Sequence, residues 1–439
     1  MAWPEALALL VGALLGLMAL GLPVAFAFFA VNIVGAFLFM RGDPGLMQFV
    51  RSAVDAAQNF SLLPIPLFIL MGEIMFHTGV AGRAIAAIDR LISRMPGRLS
   101  IVAITGGTVF SSLSGSTIAN TAMLGSTLLP EMLKRGYKPE ISIGPIVAVG
   151  GIAMLIPPSA LAVLLGSVAQ VSIGELLVAA IVPALILAAL YVGYVMLRCR
   201  MDPSLAPVEE EGPQVSGFER WWPFFRDVVP LAGIFATVVG TIIAGIATPT
   251  ESAALGVVAT LIAAAAYRCL SLAGLMKALR ESLALTTLTL FIVCGSITFS
   301  QIMAFSGATR GLTDLVLTAE LSPFVILLMM LGLILLLGCF IDQVSMILLT
   351  VPIYMPVVIA LGYDPIWFAV LLLLLLEISL ATPPFGLLLY VMLGASPPGV
   401  TLGMIIRSVL PFIGLSLVVV LMLLALPDLA LFLPSLMGD

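Results

Sequence analysis

The residues with most chemistry to offer in this chain are small and uncharged. The run Ser111-Ser112-Leu113-Ser114-Gly115-Ser116-Thr117-Ile118-Ala119-Asn120-Thr121 carries a side-chain oxygen at seven of eleven positions, and Gly115 permits a sharp turn. If the chain turns there, the carbonyls ending the first arm are free to coordinate a cation. The N–H groups opening the second arm, with Ser116 or Thr117 as cap, favour an anion. Hydroxyls that merely pack helices would account for one or two of these residues but not for this density beside a glycine. Two Pro-Pro steps supply partners: Gly150-Gly151 with Pro157-Pro158-Ser159, and Thr382-Pro383-Pro384. Consecutive prolines remove donors and release carbonyls a turn earlier.

Few acids interrupt the apolar runs: Glu73, Glu251, Asp342 and Glu377. An ionised Asp at mid-bilayer costs about 2.5–3.5 kcal/mol, so each needs a reason. Asp342 marks a second candidate tip. Glu377 precedes the second Pro-Pro step by nearly two turns and is placed to orient it. Glu251 follows Thr248-Pro249-Thr250 and reads as a helix cap, while Glu73 and His77, four apart on one helical face, read as a structural pair.

The elements that must position these groups are membrane helices. Of 439 residues 62% are hydrophobic and 9% charged, against about 25% charged in a soluble domain. Mean hydropathy is +1.24. Apolar runs at 5–20, 23–40, 228–246, 285–304 and 403–426 approach or exceed the ~20 residues that span a bilayer. No alternating segments suggest a β-barrel. The four cysteines are scattered, the single histidine excludes a multi-histidine metal site, and the first apolar run lacks the basic start of a cleaved signal peptide. A membrane enzyme would need a nucleophile–base pair or metal cluster that these residues do not provide.

The chain repeats itself. Shifted by 226 residues, six proline pairs coincide, among them Pro130/Pro356, Pro139/Pro365, Pro157/Pro383 and Pro158/Pro384; chance gives roughly one. Gly136-Tyr137-Lys138-Pro139 answers Gly362-Tyr363-Asp364-Pro365. The expected organisation is a first repeat at 1–197 (scaffold 1–100, hairpin and broken helix 101–197), a cytoplasmic linker at 198–226, and a second repeat at 227–439 (scaffold 227–322, hairpin and broken helix 323–426). Segments 41–60, 78–98, 268–284 and 305–322 read as interfacial amphipathic helices.

If 101–133 and 323–359 are re-entrant hairpins, each half crosses the bilayer five times and the second is inverted. Fifteen of the eighteen Lys and Arg then fall on one side, leaving only Arg41, Arg51 and Arg310 on the other. The positive-inside rule makes the crowded side cytoplasmic and both termini external. The expected fold is an all-α polytopic membrane protein with two inverted-topology repeats, about ten transmembrane helices and two re-entrant hairpins. Matching broken helices in inverted halves point to a transporter's midplane site.

At these motifs the sequence resembles the large membrane subunit of tripartite ATP-independent periplasmic (TRAP) transporters. The resemblance runs through nearly the whole chain. It is carried by Met71-Gly72-Glu73, Gly115-Ser116-Thr117, Leu129-Pro130, Lys134-Arg135-Gly136-Tyr137, Ile156-Pro157-Pro158-Ser159, Val171-Ser172-Ile173-Gly174, Gly245-Ile246-Ala247-Thr248-Pro249-Thr250-Glu251, Phe340-Ile341-Asp342, Leu361-Gly362-Tyr363-Asp364-Pro365, Thr382-Pro383-Pro384-Phe385-Gly386 and Leu433-Pro434. The chain departs from the family pattern at Asn120, where Thr is expected.

The resemblance implies an elevator-type sodium symporter of the bacterial inner membrane. A soluble periplasmic binding protein would deliver an organic acid such as a dicarboxylate, sugar acid or keto acid. A small four-helix DctQ-like membrane subunit would brace this chain, and no nucleic-acid partner is expected. The hairpins and broken helices would move against the remaining spans.

The residue chemistry agrees. Sodium needs oxygens of low charge, offered around Ser112, Ser114, Gly150, Gly151, Pro157, Phe340, Asp342, Thr382 and Pro383. A carboxylate needs N–H groups and hydroxyls, offered around Ser114, Gly115, Ser116, Thr117, Asn120, Ser159 and Thr382. A standalone ion-coupled anion symporter or antiporter of related fold is the alternative, and a passive channel would be distinguished by its lack of saturable, gradient-driven uptake.

Overall fold

A computed structural model of the chain describes residues 1–92, 95–207, 218–384 and 386–437, with the backbone alone at 81, 112–114, 219 and 220. The described residues form twenty-two α-helices and no strand. The first half contains α1 (Trp3–Ala19), α2 (Val24–Phe39), α3 (Asp43–Ala57), α4 (Pro64–Thr78), α5 (Val80–Leu91), α6 (Arg98–Ser114), α7 (Thr117–Lys134), α8 (Pro139–Ile152), α9 (Ala160–Ala169), α10 (Ile173–Ala179) and α11 (Ile181–Met201). After α12 (Phe218–Asp227) come α13 (Val229–Ile243), α14 (Pro249–Ala266), α15 (Leu272–Phe305), α16 (Ala308–Thr318), α17 (Pro323–Gly338), α18 (Gln343–Ala360), α19 (Pro365–Leu380), α20 (Leu387–Ala395), α21 (Leu402–Ala425) and α22 (Asp428–Leu431). Of the expected linker, 208–217, with Glu209-Glu210-Glu211, lies outside the described residues.

Local sequence sets the boundaries. Proline stands in the first turn of α4, α8, α14, α17 and α19, where its missing N–H costs nothing and its fixed φ suits the helix. Asp364 caps α19 by accepting from the N–H groups of Ile366 and Trp367 at 2.8 and 2.9 Å. Thr248 and Glu251 form a reciprocal capping box at α14, so Glu251 is the cap its sequence context suggested.

Element bounds follow the 226-residue shift. Moving α7 along by 226 lands on Gln343 and Ala360, the bounds of α18; moving α9 lands within one residue of α20. The expectation of a separate interfacial helix at 268–284 is not met. That segment runs without interruption into the following span, making α15 a single helix of 34 residues. The reason is local: Pro64 and Pro66 start α4 afresh in the first half, whereas Leu290 and Ile292 stand at the shifted positions and let the helix continue. The other three half-polar segments are the separate helices α3, α5 and α16.

Seven helices of the described residues are long and apolar enough to cross a membrane, α15, α21 and the α10–α11 segment among them. Helices α1 and α2, with 17 and 16 residues, reach roughly 25 Å, a little short of the ~30 Å hydrocarbon layer. Large apolar side chains face outward on α2, α14 and α15, as at Phe26, Ile262 and Leu283. That is the surface a bilayer would cover, because lipid removes any need for a polar exterior.

The broken helices sit at the centre. Every residue of α8 from Ile141 to Ile152 is buried, as is every residue of α19 from Trp367 to Leu380. Such all-round burial matches helices without an amphipathic face. Around them α6–α7 and α17–α18 form hairpins, each with its arms in contact. A second group centres on α4 packed against α15, flanked by α14 and α2. Asn32 of α2 ties this group together by donating to the Gly295 carbonyl at 2.7 Å.

Helix α8 approaches α21 closely enough that a Cβ at Gly144 would lie 2.6 Å from the Phe412 ring and collide with the Ser408 carbonyl. Because backbone cannot swing aside, Gly144→Ala should cost about 1–3 kcal/mol. The check is the unfolding midpoint of purified protein in detergent, and an unchanged midpoint would show that α8 and α21 are not packed this closely.

Candidate functional site

The first hairpin turns where the sequence places it. Gly115 ends α6 in the left-handed region at φ +57°, and Ser116 caps α7, accepting from the Ala119 N–H at 3.3 Å. The side chains of Ser112 and Ser114 lie outside the described residues; their backbone is the last turn of α6. The second hairpin turns at Cys339–Asp342. Asp342 caps α18 by accepting from the Ser345 N–H at 3.1 Å and from the Ser345 hydroxyl. Asp342 therefore occupies the capping position that Ser116 occupies one repeat earlier.

Both broken helices carry a cis peptide at the matched step, Pro157–Pro158 and Pro383–Pro384. In the first break, 153–159, the carbonyls of Ala153 through Ile156 receive no hydrogen bond among the described residues. Ser159 then caps α9, buried, accepting from the Ala162 N–H at 3.2 Å. In the second, Thr382 donates its hydroxyl to the Ile378 carbonyl at 2.7 Å, while its own carbonyl accepts from the Gly386 N–H at 3.1 Å. The carbonyls of Gly150 and Gly151 accept from the N–H groups of Ala153 and Met154 at 3.4 and 3.1 Å.

What the two glycines add is approach. A Cβ at Gly150 would strike the Thr121 hydroxyl and stand 3.4 Å from the Thr117 carbonyl, so the start of α7 lies directly on α8. A Cβ at Gly151 would strike Glu377 and stand 2.7 Å from its Oε1, so Glu377 of the second half lies on the last turn of α8, next to the first break. Gly115 faces the Pro158 carbonyl, 2.9 Å from where its Cβ would stand. Gln343, at the start of α18, donates to the Met154 sulfur at 3.0 Å. The first break and the turn of α8 that leads into it are thus touched by both hairpins and by the second broken helix.

Several oxygens near it have no partner among the described residues. Thr117 Oγ1, Thr121 Oγ1, Asn120 Oδ1 and both carboxylate oxygens of Glu377 are buried without a hydrogen bond. Buried polar atoms are normally paired, and those left over mark places for water or an ion. The Asn120 amide itself is anchored, donating to Ser111 Oγ at 2.5 Å and to the carbonyls of Gly107 and Val149 at 3.2 and 3.3 Å. The Asn120 amide thus brings two N–H donors to three nearby acceptors, one donor more than a hydroxyl would bring.

The second tip is not sealed in the same way. Phe340 is 63% exposed and Asp342 is exposed. A cavity of about 190 Å³ lies where the two groups of helices meet, lined by Ser167, Gln170 and Pro352 on one side and by Asn59, Leu62, Ser296 and Gln301 on the other. Ser296 crosses to the Leu348 carbonyl of α18 at 2.8 Å beside it.

Sequence reasoning did not find the reach of Glu377 to the first break, nor Gln343 and Met154. The usable signal was Gly150-Gly151: two adjacent glycines inside a buried helix imply two close neighbours.

Comparison with known proteins agrees with this architecture. The family described as "Tripartite ATP-independent periplasmic transporter, DctM component" matches residues 11–429. The chain is 30% identical to the C4-dicarboxylate TRAP transporter large permease protein DctM of Pseudomonas aeruginosa, over 93% of this chain and 94% of that one. It is 31% identical to the sialic acid large permease protein SiaM of Vibrio cholerae (96% and 97% covered) and 30% identical to the ectoine/5-hydroxyectoine protein UehC of Ruegeria pomeroyi (96% of each). Among solved structures, the YdaH transporter of Alcanivorax borkumensis has a similar fold, with a TM-score of 0.58 at 17% identity over 90% of each chain. MtrF of Neisseria gonorrhoeae scores 0.57 at 16% identity, with 88% of this chain and 84% of that one covered.

Gly150→Ala should lower uptake roughly tenfold or more, the effect of about 1.4 kcal/mol, because the methyl must displace Thr121. Gly193→Ala, where a Cβ meets nothing within 4 Å, should leave uptake unchanged. Equal uptake by the two variants in proteoliposomes would show that the α7–α8 contact is not part of the site.

Proposed function

The chain belongs to the DctM family of tripartite ATP-independent periplasmic transporters, as their large permease subunit and not an enzyme, and on that premise we propose that it imports organic acids together with sodium. The observation that carries the proposal is the convergence on the first break of two hairpins and the second broken helix, with buried oxygens left unpaired among them.

Sodium is the cation these groups suit. Hydroxyl, amide and carbonyl oxygens at the break offer neutral ligands, with the Glu377 carboxylate beside them. Sodium ligands are proposed at Ser112, Ser114, Gly150, Gly151, Pro157, Phe340, Asp342, Thr382 and Pro383, with the unbonded carbonyls of 153–156 adjoining them. The substrate carboxylate is assigned to the opening turns of α7 and α9, where Ser116 and Ser159 cap the helices and backbone N–H groups point outward. Gly115, Thr117 and Asn120 adjoin the first of these turns, Ser114 precedes it, and Thr382 lies at the second break. C4-dicarboxylates, sialic acid and ectoine, the compounds named for the relatives, all carry a carboxylate.

The two halves, 1–197 and 227–439, are read as inverted repeats, with both termini on the external face of the inner membrane. The hairpins and broken helices form the moving unit of an elevator, and α4, α15 and their neighbours the scaffold. A cavity lined by uncharged side chains, polar and apolar, lies at their seam. A periplasmic binding protein supplies the substrate, and a small membrane subunit braces the scaffold.

Reconstituted with its binding protein and small subunit, the transporter should take up substrate only under an inward sodium gradient. Uptake that persists in sodium-free buffer would remove the coupling assignment. Asp342→Asn keeps a capping acceptor while removing charge, so it should leave the unfolding midpoint within about 1 kcal/mol of stability yet reduce uptake. Unchanged uptake would reduce Asp342 to a helix cap.

A further inference from the structure

Away from the hairpins, the only histidine of the chain stands between two carboxylates drawn from opposite halves. His77 Nε2 lies 2.8 Å from Glu281 Oε2 on α15 and 3.4 Å from Glu73 Oε2, one turn earlier on α4. The donor atoms of all three residues lie within 4.8 Å of one another. The imidazole is 9% exposed and Glu73 14%, with the Phe76 ring set edge-on at 5.2 Å, while Glu281 opens toward solvent at 43%. Lys277 reaches Glu281 only at 3.9 Å.

We propose that Glu73, His77 and Glu281 form a zinc site that staples α4 to α15. The donor set, one imidazole nitrogen and two carboxylates, is one that zinc accepts in three-ligand sites with a fourth position left to water. Zinc at about 2.0–2.2 Å from each ligand places neighbouring ligand atoms roughly 3.3 Å apart, close to the spacing found here. Charge also balances: two carboxylates and a neutral imidazole offset a divalent ion. The i,i+4 spacing of Glu73 and His77 puts both donors on one face of α4, and that face is turned onto α15 by the tightest packing of the scaffold group. Glu281 enters from the polar first stretch of α15, before the helix enters its apolar run. The site's half-open side gives the ion a path from solvent.

The position gives the ion a mechanical role. The residues from α4 precede the linker and the one from α15 follows it, so a bound ion joins the halves where α4 packs on α15. It would stiffen the group of helices against which the hairpins sit, without touching the hairpins.

The test uses the full chain purified in detergent with a tag free of histidine, stripped with chelator and titrated with zinc chloride by calorimetry. One zinc per chain is expected, together with a rise in the unfolding midpoint on adding the metal. His77→Ala should abolish both. Glu281→Gln, at a partly exposed position where folding is not at stake, should weaken binding by at least the roughly 10–100-fold that loss of even an outer-shell partner costs. No binding by the wild-type chain, or zinc bound equally by Glu281→Gln, would overturn the proposal and leave His77 as a bridging ion-pair residue.

Discussion

The rest of this structure depends on one constraint: inside a bilayer a backbone N–H or carbonyl has no solvent to bond to, so an interrupted helix must be enclosed by protein. The chain interrupts helices at four places, the two hairpin turns and the two Pro-Pro breaks. It meets the constraint by burying α8 from Ile141 onward and α19 from Trp367 onward and packing the hairpins around them. The pattern of contacts is reciprocal. Helix α7 of the first hairpin packs on α20 beyond the second break, and α18 of the second hairpin packs on α9 beyond the first. Each half therefore packs a hairpin arm on the helix that follows the other half's break.

Close enclosure requires small residues at the crossings, and glycine supplies them. Gly150 admits the Thr121 hydroxyl, Gly151 admits Glu377, Gly338 admits Ser379 and Gly144 admits the Ser408 carbonyl. Each of these contacts brings an oxygen against a helix where a larger side chain would have brought hydrocarbon. The result is a centre that is tightly packed and oxygen-rich at once. This is the combination needed to strip water from an ion and replace it with fixed dipoles. Glu377 concentrates the cost: a carboxyl group buried to 3% exposure with no partner is destabilising unless something else uses it.

The membership of the chain in a transporter family explains why such a centre is retained, and the geometry explains how it is divided. One group of helices carries the breaks and hairpins; the other is held together by α4, α15 and buried polar bonds such as Asn32 to Gly295. Between them lies a cavity lined by uncharged side chains, polar and apolar, with the Ser296–Leu348 bond crossing beside it.

Much of this was legible in the sequence. Composition required a helical membrane protein, the proline register revealed the duplicated order of elements, and Gly115, Ser116 and Asp342 marked turns that the fold places at those residues. These features are local: helix breaking, capping and hydropathy act over a few residues. The continuous α15 was also local in origin, since the missing prolines at 290 and 292 were there to be read. What only the tertiary structure decided was which interruption faces which. That Glu377 serves the first break, that Gln343 meets Met154, and that His77 lies between Glu73 and Glu281 depend on packing across more than a hundred residues of chain. Such pairings are fixed by the shapes of whole helices meeting, and no short window of sequence contains that information.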